Sequence, residues 1–352
     1  MHVLVTGGAG FIGGNYVRRL LDGRSDLSVD RVTVLDKLTY AGNLANLAPV
    51  ADHPGLRFVE GDIADPELVS KLLGDVDAVV NFAAETHVDR SIHDPAEFVR
   101  TNVLGTQNLL DAARTAGLPR FVHISTDEVY GSIDEGAWTE EWPLAPNSPY
   151  AAAKAGADLL ALAYTRTHGL NLSITRCSNN YGPYQFPEKV IPLFVTTLLQ
   201  GGSVPLYGDG LNVRDWLHVD DHCRGIDLVL AEGASGEVYN IGGGRELNNR
   251  RLTELILDAC GADWSAVRPV ADRKGHDRRY ALDDSKLRAL GYRPEVTFED
   301  GLAETIAWYR EHTDWWRPLL PAVPAVPAVG ASPSPSPAMS TAMSTATSTD
   351  AR

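Results

Sequence analysis

The chain has 352 residues, 44% of them hydrophobic and 22% charged, which supports a folded core and excludes disorder of the whole. Its 46 acidic residues against 31 basic ones leave a net charge of −15, the wrong sign for neutralising phosphate backbones, so no nucleic-acid partner is expected. No apolar run reaches the ~18–20 residues of a membrane helix, no leader-like segment opens the chain, and its three cysteines form no disulfide or zinc pattern. A cytoplasmic protein without membrane or metal is the expectation.

Six short runs, apolar nearly throughout, read as strands: Val3–Thr6, Arg31–Asp36, Arg57–Glu60, Ala78–Phe82, Phe121–Ser125 and Leu172–Arg176. Helical stretches alternate with them at Phe11–Leu21, Pro66–Leu73, Pro95–Ala116 and Tyr150–His168. Ser148-Pro149 is a cap-and-proline start for the last of these, and Gly169 a stop. The βαβ rhythm predicts an α/β fold with a doubly wound parallel (Rossmann) sheet. Beyond residue 177 the pattern loosens. Strands are expected at Val204–Tyr207 and Val238–Ile241, and helices at Ile191–Gln200, Val219–Ala231, Arg251–Ala259 and Asp300–Thr313. These make a smaller C-terminal α/β lobe. Residues 318–352, rich in Pro, Ala, Ser and Thr, read as a disordered tail.

The first strand runs into Gly7-Gly8-Ala9-Gly10-Phe11-Ile12-Gly13 and then a helix. Glycines so spaced permit a tight turn and let the backbone approach a pyrophosphate at the helix N-terminus. The second strand ends in Asp36, a carboxylate placed to accept ribose hydroxyls and to repel a 2′-phosphate. NAD rather than NADP is expected, with the neighbouring Lys37 as a complication. Asp62, after the third strand, is placed near the adenine, or is an ordinary turn aspartate. Residues 1–176 thus form an NAD-binding Rossmann domain to which some later segments return, and 177–317 a substrate-binding lobe.

Tyr150 and Lys154 lie four apart on one predicted helix face. A tyrosine, with an ordinary pKa near ~10, becomes a usable base when positive charge favours its phenolate. Thr126-Asp127-Glu128 ends the fifth strand, at the edge where open α/β sheets hold ligands. Thr126 can serve the same hydroxyl as Tyr150. Two adjacent carboxyls can divide acid and base work if their environments push their pKa values apart, or they are a solvated loop.

Taken with the glycine turn, the Tyr150–Lys154 pair resembles the extended short-chain dehydrogenase/reductase family. Asp36–Asn43, Ala83–Ser91, Ser125–Gly131, Asn147–Lys154, Arg176–Pro183, Pro187–Lys189, Tyr207–Gly210 and Arg214–Trp216 are similar to its nucleotide-sugar 4,6-dehydratase branch, over about residues 1–317. The resemblance implies an NAD-dependent lyase acting on a dTDP-sugar in deoxysugar biosynthesis. It implies C4 oxidation by Tyr150 with Thr126 and Lys154, water elimination across C5 and C6 by Glu128 and Asp127, and hydride return to C6. Cofactor contacts are implied for Gly7, Gly10, Phe11, Ile12, Gly13, Asp36, Lys37, Leu38, Thr39, Gly42, Asp62, Ile63, Phe82, Ala83, Ala84, Thr86, Thr101, Tyr150, Lys154 and Asn180. Substrate contacts are implied for Thr86, Thr126, Asn179, Lys189, Val190, Pro205, Leu206, Tyr207, Arg214, Asn249 and Asp272-Arg273-Lys274-Gly275-His276. The family usually has proline in place of Lys274 and serine in place of Thr86. In this family the helices corresponding to Pro95–Ala116 and Tyr150–His168 pair two subunits, so a homodimer is expected.

Arg273, Lys274, Arg278 and Arg279 reverse the charge of an acidic chain locally, which suits a diphosphate or is a solvated basic face. Cys177 and His123 read as packing residues, Trp315 and Trp316 as anchors of the C-terminus. Two rival functions stay open. A sugar-nucleotide 4-epimerase would use Thr126, Tyr150 and Lys154 but not the acid pair. A non-enzymatic NAD-sensing regulator of the same fold would lack the tyrosine–lysine pair.

Overall fold

In the computed structural model the described residues are 1–272 and 275–320. Arg273, Lys274 and the tail from 321 onward, on which parts of the substrate-loop and tail expectations rest, lie outside them. Strands β1 (His2–Thr6), β2 (Arg31–Asp36), β3 (Leu56–Glu60), β4 (Ala78–Asn81), β5 (Arg120–Thr126) and β6 (Leu172–Cys177) fall within a residue of the expected runs at either end. β7 (Asn179–Tyr181), β8 (Val204–Tyr207), β9 (Val213–His218), β10 (Val238–Ile241), β11 (Glu246–Asn248) and β12 (Val267–Val270) follow.

The central sheet runs β3-β2-β1-β4-β5-β6-β10 and is parallel throughout. Its order reverses between β1 and β4, the switch point beside which such sheets open a crevice. Alternate residues feed two cores. Val3, Val5, Val32, Val34 and Val122 pack with Tyr16, Val17, Ile226 and Val229 on one face. Leu4, Leu35, Val79, Phe121 and Leu172 pack with Leu72, Leu109 and Leu110 on the other. Coverage of both faces is the reason these strands are apolar without alternation. Strand β10 joins this sheet, while a three-stranded sheet β11-β9-β7 and a parallel pair β12-β8 make the smaller layer.

Two helices carry the site. Pro149–His168 starts under the Ser148 side chain, which accepts from the Ala151 amide, and stops at Gly169 with φ +68°. The helix expected over Pro95–Ala116 is continuous but not uniform: Val99–Gly105 is π-helical, between α-helical Pro95–Phe98 and Thr106–Ala116. The widened turn buries Thr101 and Asn102. Asn102 clasps the Glu85 backbone, accepting from its amide at 2.8 Å and donating to its carbonyl at 3.0 Å. A period of 3.6 cannot register such a turn.

Short elements escaped the sequence reading. β7 and β11 have three residues each, and β9 buries Arg214 and Asp215 among apolar neighbours, which breaks its strand pattern. Among the described residues no helix is long and apolar enough to cross a membrane.

Candidate active site

The glycine turn is built by steric exclusion. Gly7 has φ +66°, and a Cβ there would stand 2.7 Å from the Ala83 amide nitrogen. A Cβ on Gly13 would collide with the Gly7 carbonyl. The helix Phe11–Leu21 starts at Gly10 with no side chain capping it, which leaves first-turn amides for an anion. These features fit a dinucleotide: the strand end is packed against the turn too closely for any side chain, and the amides face a cleft.

Asp36, at the end of β2, accepts from the Ala9 amide and the Leu38 amide, both at 2.9 Å. Burial raises its carboxyl above the usual range, against those two amides. The complication at Lys37 resolves in favour of NAD. Its ammonium donates to Thr101 Oγ1 at 3.0 Å and lies 3.8 Å from Asp62 Oδ2 and 3.9 Å from Glu85 Oε1. A lysine held among two carboxylates is a poor receiver for a 2′-phosphate.

One cleft along the C-terminal ends of β1, β2, β4, β5 and β6 gathers the expected cofactor residues. Gly7, Gly10, Phe11, Ile12, Gly13, Asp36, Lys37, Thr39, Gly42, Asp62, Ile63, Phe82, Ala83, Ala84, Thr86, Thr101, Tyr150, Lys154 and Asn180 all line it. Leu38 does not; at φ +51° it turns the chain so that its amide reaches Asp36.

Thr126, Asp127, Glu128, Tyr150 and Lys154 also line this cleft. Thr126 caps the short 3-10 turn Asp127–Tyr130, accepting from the Glu128 amide and donating to Asp127 Oδ1, each at 3.2 Å. Asp127 is 2% exposed. Burial first, then the Glu128 charge, pushes its carboxyl well above the carboxylate range, against the pull of Arg214. Both causes favour its protonated form, the form that can donate a proton. Burial, with Glu128, Cys177 and Asp127 adding to it, also holds the Tyr150 hydroxyl well above its ordinary value, against Thr126. The Lys154 ammonium, buried beneath the cleft, donates to the Ile124 carbonyl at 2.6 Å. Burial lowers its pKa, and Asp158 one turn further on opposes this.

A second cavity opens onto the first through Glu128, Asn179 and Lys189, which line both. Val190, Pro205, Leu206, Tyr207, Arg214, Asn249 and His276 line it as expected, whereas Thr86 and Thr126 face the cofactor cleft instead. Arg214 is 6% exposed, stacks its guanidinium 4.0 Å from the Tyr280 ring centre, and donates to the Val213 and Asp277 carbonyls. Asp272 sits behind the wall and meets His276 Nδ1 at 2.6 Å; Gly275 also lies off it.

Of the basic run, Arg278 and Arg279 are described, and both stand in surface ion pairs. Arg278 meets Asp209 at 3.0 Å, and Arg279 forks onto Glu246 at 2.7 and 2.9 Å, and neither lines a cavity. For these two arginines the solvated reading holds, since their charges are already matched. Lys189 and Arg214 bring positive charge to the cavity wall instead.

Several lining residues had not been singled out as contacts. Glu85, Ser125, Ser178, Gln185 and Phe186 line the first cleft, and His87, Glu188, Trp216 and Tyr280 the second. The strand-edge rule that picked out Thr126 extends to Ser125, Ser178 and Glu85. Tyr280 carries no such signal. Cys177 is buried at 7% exposure yet forms part of the cofactor wall, while His123 is enclosed between Asn81 and Asp158. No group of three or more His, Cys, Asp or Glu suited to a metal occurs among the described residues.

A family model described as GDP-mannose 4,6 dehydratase matches residues 4–305. The chain is 64% identical over 324 residues to a dTDP-glucose 4,6-dehydratase of Streptomyces antibioticus, covering 91% of this chain and 95% of that one. A dTDP-glucose 4,6-dehydratase of Streptomyces venezuelae, solved with NAD and a second ligand bound, matches with a TM-score of 0.90 at 66% identity, over 91% of this chain and 100% of that one. A UDP-glucose 4-epimerase of Thermus thermophilus in complex with NAD matches with a TM-score of 0.81 at 34% identity, over 89% of this chain and 100% of that one.

Proposed function

The chain belongs to the family represented by the GDP-mannose 4,6 dehydratase model, and we propose that within it the chain converts dTDP-glucose to dTDP-4-keto-6-deoxyglucose. It is a hydro-lyase that uses NAD. The observation that carries this reading is the pair Asp127–Glu128 at the junction of the two cavities, one carboxyl buried where its protonated form is favoured, the other lining both spaces. An epimerase needs redox chemistry at C4 alone, and has no work for a proton donor and acceptor at neighbouring carbons. The epimerase fold match leaves that distinction to the side chains.

NAD bound in the glycine-lined cleft supplies the hydride acceptor for the first stage, the donor for the last, and a positive charge beside Tyr150. Tyr150, as its phenolate, takes the C4 hydroxyl proton while Thr126 holds that oxygen. The 4-ketone acidifies the C5 proton, which Glu128 removes. As the C6–O bond breaks, Asp127 gives its proton to the departing oxygen and water leaves. Glu128 returns its proton to C5 when C6 is reduced. Lys154 fixes the floor of the site, and Lys189 with Arg214 faces the anionic part of the nucleotide.

Incubation with dTDP-glucose and with UDP-glucose, side by side, tests the reading by NMR. A C6 methyl signal from dTDP-glucose is the expected result; a 4-epimer from either substrate overturns it. Arg214→Ala is expected to raise KM for the nucleotide sugar roughly tenfold or more, as one charge-assisted contact is worth about 1.5–3 kcal/mol. Bound NAD should be unchanged, and its loss would assign Arg214 to the cofactor side.

The assembly we propose is a homodimer. Val99, Leu104 and Leu159 are 54%, 50% and 58% exposed on the two helices expected to pair, and Ile92, on the preceding short helix Val88–His93, is 42% exposed. Light scattering should give twice the chain mass at micromolar concentration, and a monomer mass would contradict it. A cytoplasmic site of action is proposed because all three cysteines are free thiols.

A further inference from the structure

The glycine turn is held from behind by a residue outside every motif. Asn46 lies in the 3-10 stretch Leu44–Val50 and is 1% exposed. Its amide nitrogen donates to the Ala9 carbonyl at 2.8 Å and the Gly10 carbonyl at 3.3 Å. Its amide oxygen accepts from the Trp315 indole nitrogen at 3.1 Å, across 269 residues of chain. Its own carbonyl accepts from Arg18 at 2.6 Å. Trp315 is in turn fixed by ring contacts, 5.0 Å to Trp308 and 5.6 Å to Tyr184, and the Arg18 guanidinium lies 4.1 Å from the Tyr184 ring.

A planar trans peptide points its C=O and N–H in opposite directions. Pinning the Gly10 carbonyl on the outside of the turn therefore aims the Phe11 amide inward, where Phe11 lines the cofactor cleft. Pinning the Ala9 carbonyl likewise orients the Gly10 amide, which donates to the Gly7 carbonyl at 3.1 Å. An asparagine with both ends of its amide engaged cannot flip without losing a buried bond. Trp315 decides which end faces the glycines.

We propose that Asn46, oriented by Trp315, is a positioning residue that presents the glycine turn to NAD, so that cofactor affinity depends on the last helix of the described chain. The inference rests on the reading of the cleft as an NAD site. It goes beyond that reading by assigning cofactor retention to residues that touch no cofactor.

The test is the dissociation constant for NAD of the full-length chain, stripped of nucleotide and titrated calorimetrically. Thermal midpoint and dTDP affinity are measured alongside. Asn46→Ala removes the side-chain donor from the Ala9 and Gly10 carbonyls, which keep only the Asn43 and Gly14 amides at 2.9 and 3.0 Å, and is expected to weaken NAD roughly three- to tenfold. Trp315→Phe keeps an aromatic ring in the cluster and removes the N–H together with one ring of the indole, whose packing loss the thermal midpoint reads; a loss of roughly three- to tenfold in NAD affinity is expected, with dTDP affinity unchanged. In the Asn46→Ala background Trp315→Phe should add nothing further, since the two act through one bond. If Asn46→Ala does not fold, Trp315→Phe carries the test alone. Unchanged NAD affinity in Trp315→Phe, or NAD and dTDP affinity falling by the same factor, overturns the proposal. A wild-type chain that binds no NAD overturns the functional reading instead.

Discussion

Replacing Tyr150 with phenylalanine should stop the reaction before any sugar is oxidised, with a loss of turnover of about 10²–10⁴-fold or more. The ring is buried at 8% exposure and packs edge-on against Phe98 at 6.3 Å. Phenylalanine preserves that contact and deletes only the hydroxyl. NAD should remain bound, because the turn that holds it lies at the other end of the cleft. Rapid mixing with dTDP-glucose should give no reduced-nicotinamide absorbance and no 4-keto sugar in quenched samples. Absorbance rising at the wild-type rate would remove Tyr150 from the first step.

The two carboxyls should give a different signature, because they act after oxidation. Glu128→Gln keeps the shape and removes the C5 base; Asp127→Asn removes the proton donor for the leaving hydroxyl. Each is expected to slow elimination by about 10²–10⁴-fold and to let a 4-keto-glucose nucleotide with its C6 hydroxyl intact accumulate. Quench and NMR would detect it. Product forming at the wild-type rate in Glu128→Gln would overturn the assignment. The pH profile supplies a second check. The Asp127 carboxyl, raised by burial and by the Glu128 charge, works only while protonated, so turnover should fall as pH rises through its pKa. Asp127→Asn should lose that fall.

The sheet and the cofactor cleft were legible because local rules decide them. Buried parallel strands are apolar throughout, and the Gly7, Gly10, Gly13 spacing is required wherever a side chain would meet backbone. Thr126, Asp127 and Glu128 followed from one edge rule, since they end a strand or directly follow it, and Tyr150 and Lys154 from their spacing of four on one helix. What stayed hidden depends on partners far away in sequence. Lys37 reads as a threat to NAD specificity until Asp62 and Glu85 are seen around it. Arg278 and Arg279 look like ligands for a diphosphate until Asp209 and Glu246 are found to hold them. Trp315 was rightly an anchor, but the asparagine it anchors has no pattern to announce it. The π-helical turn at Val99–Gly105 hides for another reason: it buries Thr101, Asn102 and Gly105 and exposes Val99 and Leu104, the reverse of an apolar helical face.

Glu128, Asn179 and Lys189 belong to the walls of both cavities. Any coupling between two ligands that meet at a shared wall is symmetric. Whatever factor nucleotide sugar contributes to the affinity for NAD, NAD must contribute to the affinity for nucleotide sugar. A chain whose cofactor ends each cycle as it began has no reason to release it. NAD affinity measured with and without dTDP gives the sign of that factor, and its size must be the same when read from either ligand.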